Sequence, residues 1–222
     1  MGREIKFMVD QEKLDKKHAE VPPDYYEVGL AKNFWQKIWH RRRLKTLLSL
    51  VPRRKVRYLD IGCHGGFLMN QVANQLGEVE GHGVDISPAS IAYCKKKYPR
   101  FNYQVADALS LPFPNDSFDF ITCFEVIEHL VEPKKALYEM RRVLKKDGEI
   151  MVLMPTESLI FRVIWFVWTR LGRGKVWHET HLNKIKSRDL APLLQTMGFA
   201  IIKRQKSHGG MLLALKARLM NK

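Results

Sequence analysis

Four acidic positions and one glycine-rich turn carry most of the chemical potential of this chain. Tyr58-Leu59-Asp60-Ile61-Gly62-Cys63-His64-Gly65-Gly66-Phe67 reads as a strand entering a tight turn and then a helix. Glycines in such a turn let the backbone approach a ligand closely. Asp85 closes a second apolar run, where a carboxylate can accept hydrogen bonds from both hydroxyls of a ribose. Asp107 follows a third run, and Phe124-Glu125 ends a fourth. In an open parallel sheet the four ends, Asp60, Asp85, Asp107 and Phe124-Glu125, fall along one edge, at the crevice where ligands bind. Glu125, Glu128 and His129 follow one another at spacings of three and four, which on a helix share a face. Such a group offers a base, or a divalent metal that lowers the pKa of a bound hydroxyl. His129 and His181 are the candidate catalytic histidines. His178 or His181, in Trp177-His178-Glu179-Thr180-His181, would add a further metal ligand.

The elements that position these residues follow from periodicity. Short apolar runs alternate with helix-period segments, the pattern of parallel strands joined by crossover helices. Strands are expected at 56–61, 79–84, 101–106, 118–124 and 149–154, and helices at 67–76, 88–98, 133–144 and 187–197. Ser87-Pro88 supplies an N-cap and a proline for the first helical position, and Lys146-Asp147-Gly148 is a helix stop. Two late runs, 199–204 and 211–217, flank His208-Gly209-Gly210 and fit an antiparallel pair at the sheet edge. Ahead of them all, 34–50 reads as an amphipathic helix with basic residues between its apolar positions.

Six segments, taken in order, carry a resemblance. Leu59-Asp60-Ile61-Gly62-Cys63, Gly83-Val84-Asp85-Ile86-Ser87, Ala106-Asp107-Ala108-Leu109 with Leu111-Pro112-Phe113, Ser117-Phe118-Asp119, Glu125-Val126-Ile127-Glu128-His129, and Arg142-Val143-Leu144-Lys145 with Gly148 resemble successive motifs of class I S-adenosylmethionine-dependent methyltransferases, of the small-molecule and ubiquinone-pathway kind. The resemblance covers residues 56–154, with a weaker echo at 190–199. It implies an α/β, Rossmann-like fold: a seven-stranded, mostly parallel sheet with an antiparallel edge strand and helices on both faces. Residues 1–52 would be a lead containing the amphipathic helix, and 53–222 the methyltransferase domain with a substrate-side insertion at 156–186.

The resemblance also implies roles. Gly62 and Gly66 would flank the methionine part of the cofactor, Asp85 would bind the ribose, Ile86 would pack on adenine, and Asp107 would accept from the adenine amino group. Asp60, His64, Ala108, Phe124 and Glu125 complete the expected cofactor set. The family usually has glycine at the place of His64, so here a side chain enters the turn that should hug the cofactor. The same residue argues against a dinucleotide, whose Gly-x-Gly-x-x-Gly fingerprint needs glycine at His64 and Phe67. A Glu-x-x-Glu-His group is metal-binding in small-RNA 2′-O-methyltransferases and in ubiquinone-pathway O-methyltransferases. By that likeness Glu125, Glu128 and His129 are metal candidates, although a metal-free site is favoured.

Composition narrows the partners. The 222 residues are 45% apolar, enough for one substantial core. Lys and Arg number 38 against 23 Asp and Glu, a net +15 that favours anionic partners. The three cysteines lack Cys-x-x-Cys spacing, and 1–20 is charged throughout, without the apolar stretch of a secretory signal. A cytoplasmic protein, with peripheral membrane contact left open, is the expectation. Within the insertion, Leu159-Ile160-Phe161-Arg162-Val163-Ile164-Trp165-Phe166-Val167-Trp168 is too short to span a bilayer. It fits a packed helix first, or a lid over an apolar acceptor, or an interfacial helix. The leading functional expectation is methyl transfer to a small, apolar or lipid-linked acceptor. The alternatives are a metal-assisted RNA 2′-O-methyltransferase, since nucleic acid is not excluded by the charge, and a non-catalytic scaffold on the same fold.

Overall fold

A computed structural model describes residues 21–32, 34–171 and 185–220. Its centre is a seven-stranded sheet in the order β3-β2-β1-β4-β5-β7-β6. The strands are β1 (Val56–Ile61), β2 (Val79–Asp85), β3 (Asn102–Val105), β4 (Phe118–Phe124), β5 (Leu144–Pro155), β6 (Phe199–Ser207) and β7 (Leu212–Leu219). Neighbours from β3 to β5 are parallel, and β7 runs antiparallel to both β5 and β6. The antiparallel strand thus lies one place in from the edge, and the late hairpin supplies both it and the edge.

Both faces of the sheet are covered, so its central strands are apolar at successive positions instead of alternating. Leu59, Ile61, Ile121, Cys123, Ile150 and Val152 point into one core layer, with Leu137, Met140 and Val143 of α5 (Pro133–Val143) and Leu190 and Leu194 of α7 (Ser187–Thr196). Tyr58, Phe120, Met151 and Leu153, one residue out of phase, point into the other. There they meet Met69, Val72 and Leu76 of α3 (Phe67–Leu76), Ile91 and Cys94 of α4 (Pro88–Lys97), and Leu47 of α2 (Phe34–Leu48). The Ser87 hydroxyl caps α4 by accepting from Ser90 N at 3.2 Å, with Pro88 in the first turn as expected.

Three elements depart from the sequence reading. β5 begins five residues before the expected 149, because Leu144 already pairs with Phe118 before the register jumps to Phe120 and Glu149. The intervening residues bulge out, and Asp147 takes φ 57°. The segment Ile127–His129 is a single 3₁₀ turn, not the α-helical turn that the spacing of three and four presumed. The insertion helix α6 (Leu159–Leu171) is not the packed core helix of the first expectation: Leu159, Ile160, Val163, Phe166 and Val167 are all exposed.

The lead folds against the domain. The short helix α1 (Tyr25–Lys32) is tied down by Glu27, which accepts from the hydroxyls of Tyr93 at 2.6 Å and Tyr98 at 2.8 Å. On the other side, the ring of Trp39 in α2 lies 4.0 Å from that of His208, which also contacts the Trp39 carbonyl at 2.9 Å. The inward stripe of α2 is His40, Arg43 and Leu47, so the helix presents charge as well as carbon to the interior, and Phe34 is exposed.

Candidate active site

The parallel strands β1, β2 and β4 end on one edge, and there the turn after β1 opens a groove. Asp60, Gly62, His64, Asp85, Ile86, Asp107, Ala108, Phe124 and Glu125 all line it, in a cavity of about 130 Å³. The turn is conformationally unusual: Gly62 has φ 72°, His64 45° and Gly66 76°, all left-handed. A Cβ on Gly62 would fall 2.3 Å from Val126 Cγ2, so that position has neither the backbone nor the space for a side chain. Asp85 braces the turn, its carboxylate accepting from His64 N at 2.8 Å and Ser87 N at 2.9 Å. Asp107 accepts from Leu109 N at 2.8 Å and so folds its own loop under the groove.

Asp60 is buried, and Thr122 donates its hydroxyl to the carboxylate while sharing a 2.6 Å hydrogen bond with Tyr58. Burial, reinforced by the nearby Asp85 carboxylate, pushes the Asp60 pKa up to about 7. His64 turns its ring toward Tyr26 of α1, edge-on at 5.7 Å between centroids, and burial keeps its imidazole below the usual pKa. The lead presses on the same turn: a Cβ on Gly65 would collide with the Pro23 carbonyl oxygen at 1.8 Å.

A second cavity, of about 280 Å³, adjoins the groove and shares Tyr26, Glu125 and His129 with it. Its walls are largely aromatic and apolar, with Tyr25, Trp39, Phe161, Ile164 and Trp165 drawn from α1, α2 and α6. Arg43 crosses beneath it to pair with Glu125, and its guanidinium lies 4.7 Å from the centre of the Tyr26 ring. Glu125 itself sits at φ 56°, a strained conformation of the kind that gathers at functional sites. Glu128 lines this cavity from the floor, buried, with neither carboxyl oxygen finding a hydrogen-bond partner. Burial, with the Glu125 carboxylate adding to it, drives the Glu128 pKa well above the usual carboxylate range. Burial likewise depresses His40 to about 3, so it is neutral at physiological pH.

A family model described as "Methyltransferase domain" matches residues 59–152, the span holding every groove residue except Tyr26. Residues 59–152 carry a methyltransferase domain. A protein named "Probable S-adenosylmethionine-dependent methyltransferase" of Mycolicibacterium smegmatis is 29% identical over 174 residues, 78% of this chain and 62% of that relative. The ubiquinone/menaquinone biosynthesis C-methyltransferase of Campylobacter jejuni is 28% identical over 156 residues, 68% of this chain and 66% of its own. In fold, the methyltransferase domain resembles a solved S-adenosylmethionine-dependent methyltransferase from Aquifex aeolicus, with TM-score 0.65 over 90% of this chain and 100% of that one at 14% identity. The chain spans between 55% and 66% of the length of the first curated relatives it matches.

The groove of the methyltransferase fits its cofactor. Ile86, 37% exposed, leaves an apolar wall free beside the Asp85 carboxylate, and the left-handed turn at Gly62 packs its backbone against Val126 on the groove wall. Every residue of the expected cofactor set except Gly66 lines the groove. Gly66 stands behind it, because its missing side chain would point at Tyr98, Cys94 and Tyr103 instead. The metal candidates all line the second cavity without forming a ligand group: the 3₁₀ turn and the left-handed Glu125 break the shared helical face, and Glu125 is paired with Arg43. Among the described residues no group of three or more His, Cys, Asp or Glu could hold a metal ion. His129 lines both cavities, while His178 and His181 lie outside the described residues.

Tyr26, His40 and Arg43 escaped the sequence reading. Arg43 stands among the basic residues that the sequence places between the apolar positions of 34–50. The signal lay in helical phase, since His40, Arg43 and Leu47 are three and four residues apart and fall on one stripe.

Proposed function

We propose that the chain transfers the methyl group of S-adenosylmethionine to a small apolar, lipid-linked ring acceptor of the quinol kind. One observation carries this reading: an aromatic-walled cavity of about 280 Å³, near the lower end of ligand sites, meets the cofactor groove at Tyr26, Glu125 and His129. The name of the Campylobacter relative, a quinone-pathway C-methyltransferase, supports the choice of acceptor. When bound, the cofactor supplies an electrophilic methyl on sulfur. The protein's part is to hold an acceptor atom in line with it and exclude water, which is where most of the rate of such a displacement can arise. An acceptor that gains the methyl must lose a proton, and His129, which lines the groove and the acceptor cavity where they meet, is the group placed to take it. Arg43 fixes Glu125 at the junction, and is the only Lys or Arg among the described residues lining the cavity, so an RNA backbone has little there to bind.

The test is to incubate the protein with tritiated S-adenosylmethionine and either a cell lipid extract or total RNA. Label in the organic phase is the expected result, with His129→Gln reducing it about a hundredfold. Label confined to RNA would overturn the choice of acceptor.

A further inference from the structure

The insertion helix α6 is two-sided in an unusual way. Its inner side, Phe161 and Trp165 with Ile164 at the margin and 46% exposed, walls the second cavity, and the rings of Phe161 and Trp165 stack at 5.6 Å. At helical spacing Leu159, Ile160, Val163, Phe166 and Val167 form one stripe on the opposite side. They are exposed by 74%, 57%, 55%, 57% and 47% respectively, a continuous apolar surface facing water. Scattered single apolar residues on a surface need no explanation, but a whole helix face does. The 13-residue helix is about 20 Å long, and no helix among the described residues is long and apolar enough to cross a membrane.

Charge indicates what this face meets. Neither α2 nor α6, the two long helices that wall the cavity, contains an Asp or Glu, while they carry Lys37, Arg41, Arg42, Arg43, Lys45, Arg162 and Arg170 between them. All of these except Arg43 are exposed. Arg170 continues the apolar stripe by one turn, its guanidinium 4.6 Å from the centre of the Phe166 ring. An apolar stripe flanked by Arg162 and ended by Arg170, on a chain of net charge +15, matches the chemistry of an interfacial helix on an anionic bilayer.

We infer that the outer face of α6 docks on an anionic membrane surface, with Leu159, Ile160, Val163 and Val167 in the acyl boundary and the basic residues of α2 and α6 at the headgroups. The inner face of the same helix then opens the acceptor cavity toward the lipid, so a lipid-linked ring could enter without crossing water. This purpose rests on the proposed acceptor, but the docking itself does not.

Co-sedimentation with vesicles, free of any acceptor, tests docking separately from methyl transfer. The protein should pellet with vesicles of phosphatidylcholine and phosphatidylglycerol, and pellet poorly with phosphatidylcholine alone or at high salt. Ile160→Glu with Val163→Glu, outside both cavities, should lower partition onto anionic vesicles by about tenfold or more. Binding of S-adenosylmethionine, measured by calorimetry, should be unchanged in that double variant, which shows that it is folded. Docking is overturned if wild type ignores anionic vesicles, if the double variant pellets equally well, or if the two substitutions instead convert a dimer in solution to a monomer.

Discussion

Asp60 and Asp85 end neighbouring strands, yet their carboxylates live in different surroundings and answer to different measurements. Asp60 is buried, with its pKa raised to about 7, so the folded chain favours its protonated form. Its contribution to stability is complete below the unfolded value near 4 and fades as the pH rises through about 7, by up to about 4 kcal/mol. Asp60→Asn keeps a neutral acceptor for Thr122, so urea titrations from pH 4 to 8 should show the variant gaining on wild type as the pH rises. A constant difference would mean that Asp60 stays ionised in the fold. Asp85 does its work at the groove, where its carboxylate braces His64 and Ser87 and keeps lone pairs for a ribose. Asp85→Ala should weaken cofactor affinity by about 1.5–3 kcal/mol in calorimetry, and Asp85→Asn by less. Equal, negligible effects would remove the ribose from this residue.

Among the elements, the lead and the glycine-rich turn depend on each other more than their distance in sequence suggests. Gly65 has no unusual backbone angle, and its lack of a side chain serves contact with Pro23, not the cofactor. Gly65→Ala should therefore leave the domain folded but lift α1 from the turn, seen as faster proteolysis within the lead and weaker cofactor binding. An unaltered digestion pattern would show that the contact yields at no cost. Deeper in, Arg43 neutralises Glu125 from α2 across 82 residues of chain. Arg43→Met should cost about 3 kcal/mol, since it leaves Glu125 beside buried carbon without its cation, and adding Glu125→Gln should recover much of the loss. Additive losses in that double-mutant cycle would deny the coupling. The parallel strands were legible because buried strands announce themselves as apolar runs, and the groove was legible because acids at strand ends share an edge. The lead and α6 were not: an arginine facing inward looks like any other in a basic run, and an apolar helix facing outward looks like core.

At the scale of the whole molecule, charge sets two opposing effects whose balance can be measured. The net +15 leaves at least 15 of the 38 Lys and Arg without a counter-charge, and their mutual repulsion loosens the fold over distances that salt screens effectively. The ion pairs that hold the architecture are placed where salt does little. Glu149 on β5 has a side chain only 4% exposed, and it joins Arg54 before β1 with Lys216 and Arg218 of β7 at 3.4, 3.1 and 2.7 Å. Hydrogen bonds from Arg218 and Lys216 outweigh the burial that would raise its pKa and hold this carboxyl below the usual range. Exposed pairs such as Lys55 with Glu78 and Arg57 with Glu80 lose their attraction as salt is added, but each contributes little to begin with. The net result is that stability should rise with ionic strength, by about 2–4 °C in Tm for each kcal/mol of repulsion removed. Glu149→Gln should lower Tm by a similar amount at every salt concentration, since a buried pair is screened little and losing its charged hydrogen bonds costs roughly 1.5–3 kcal/mol. Thermal unfolding followed by circular dichroism across a sodium chloride series reads both quantities. A wild-type Tm that falls with salt would show that local pairs, and not the collective field, dominate the electrostatics of this chain.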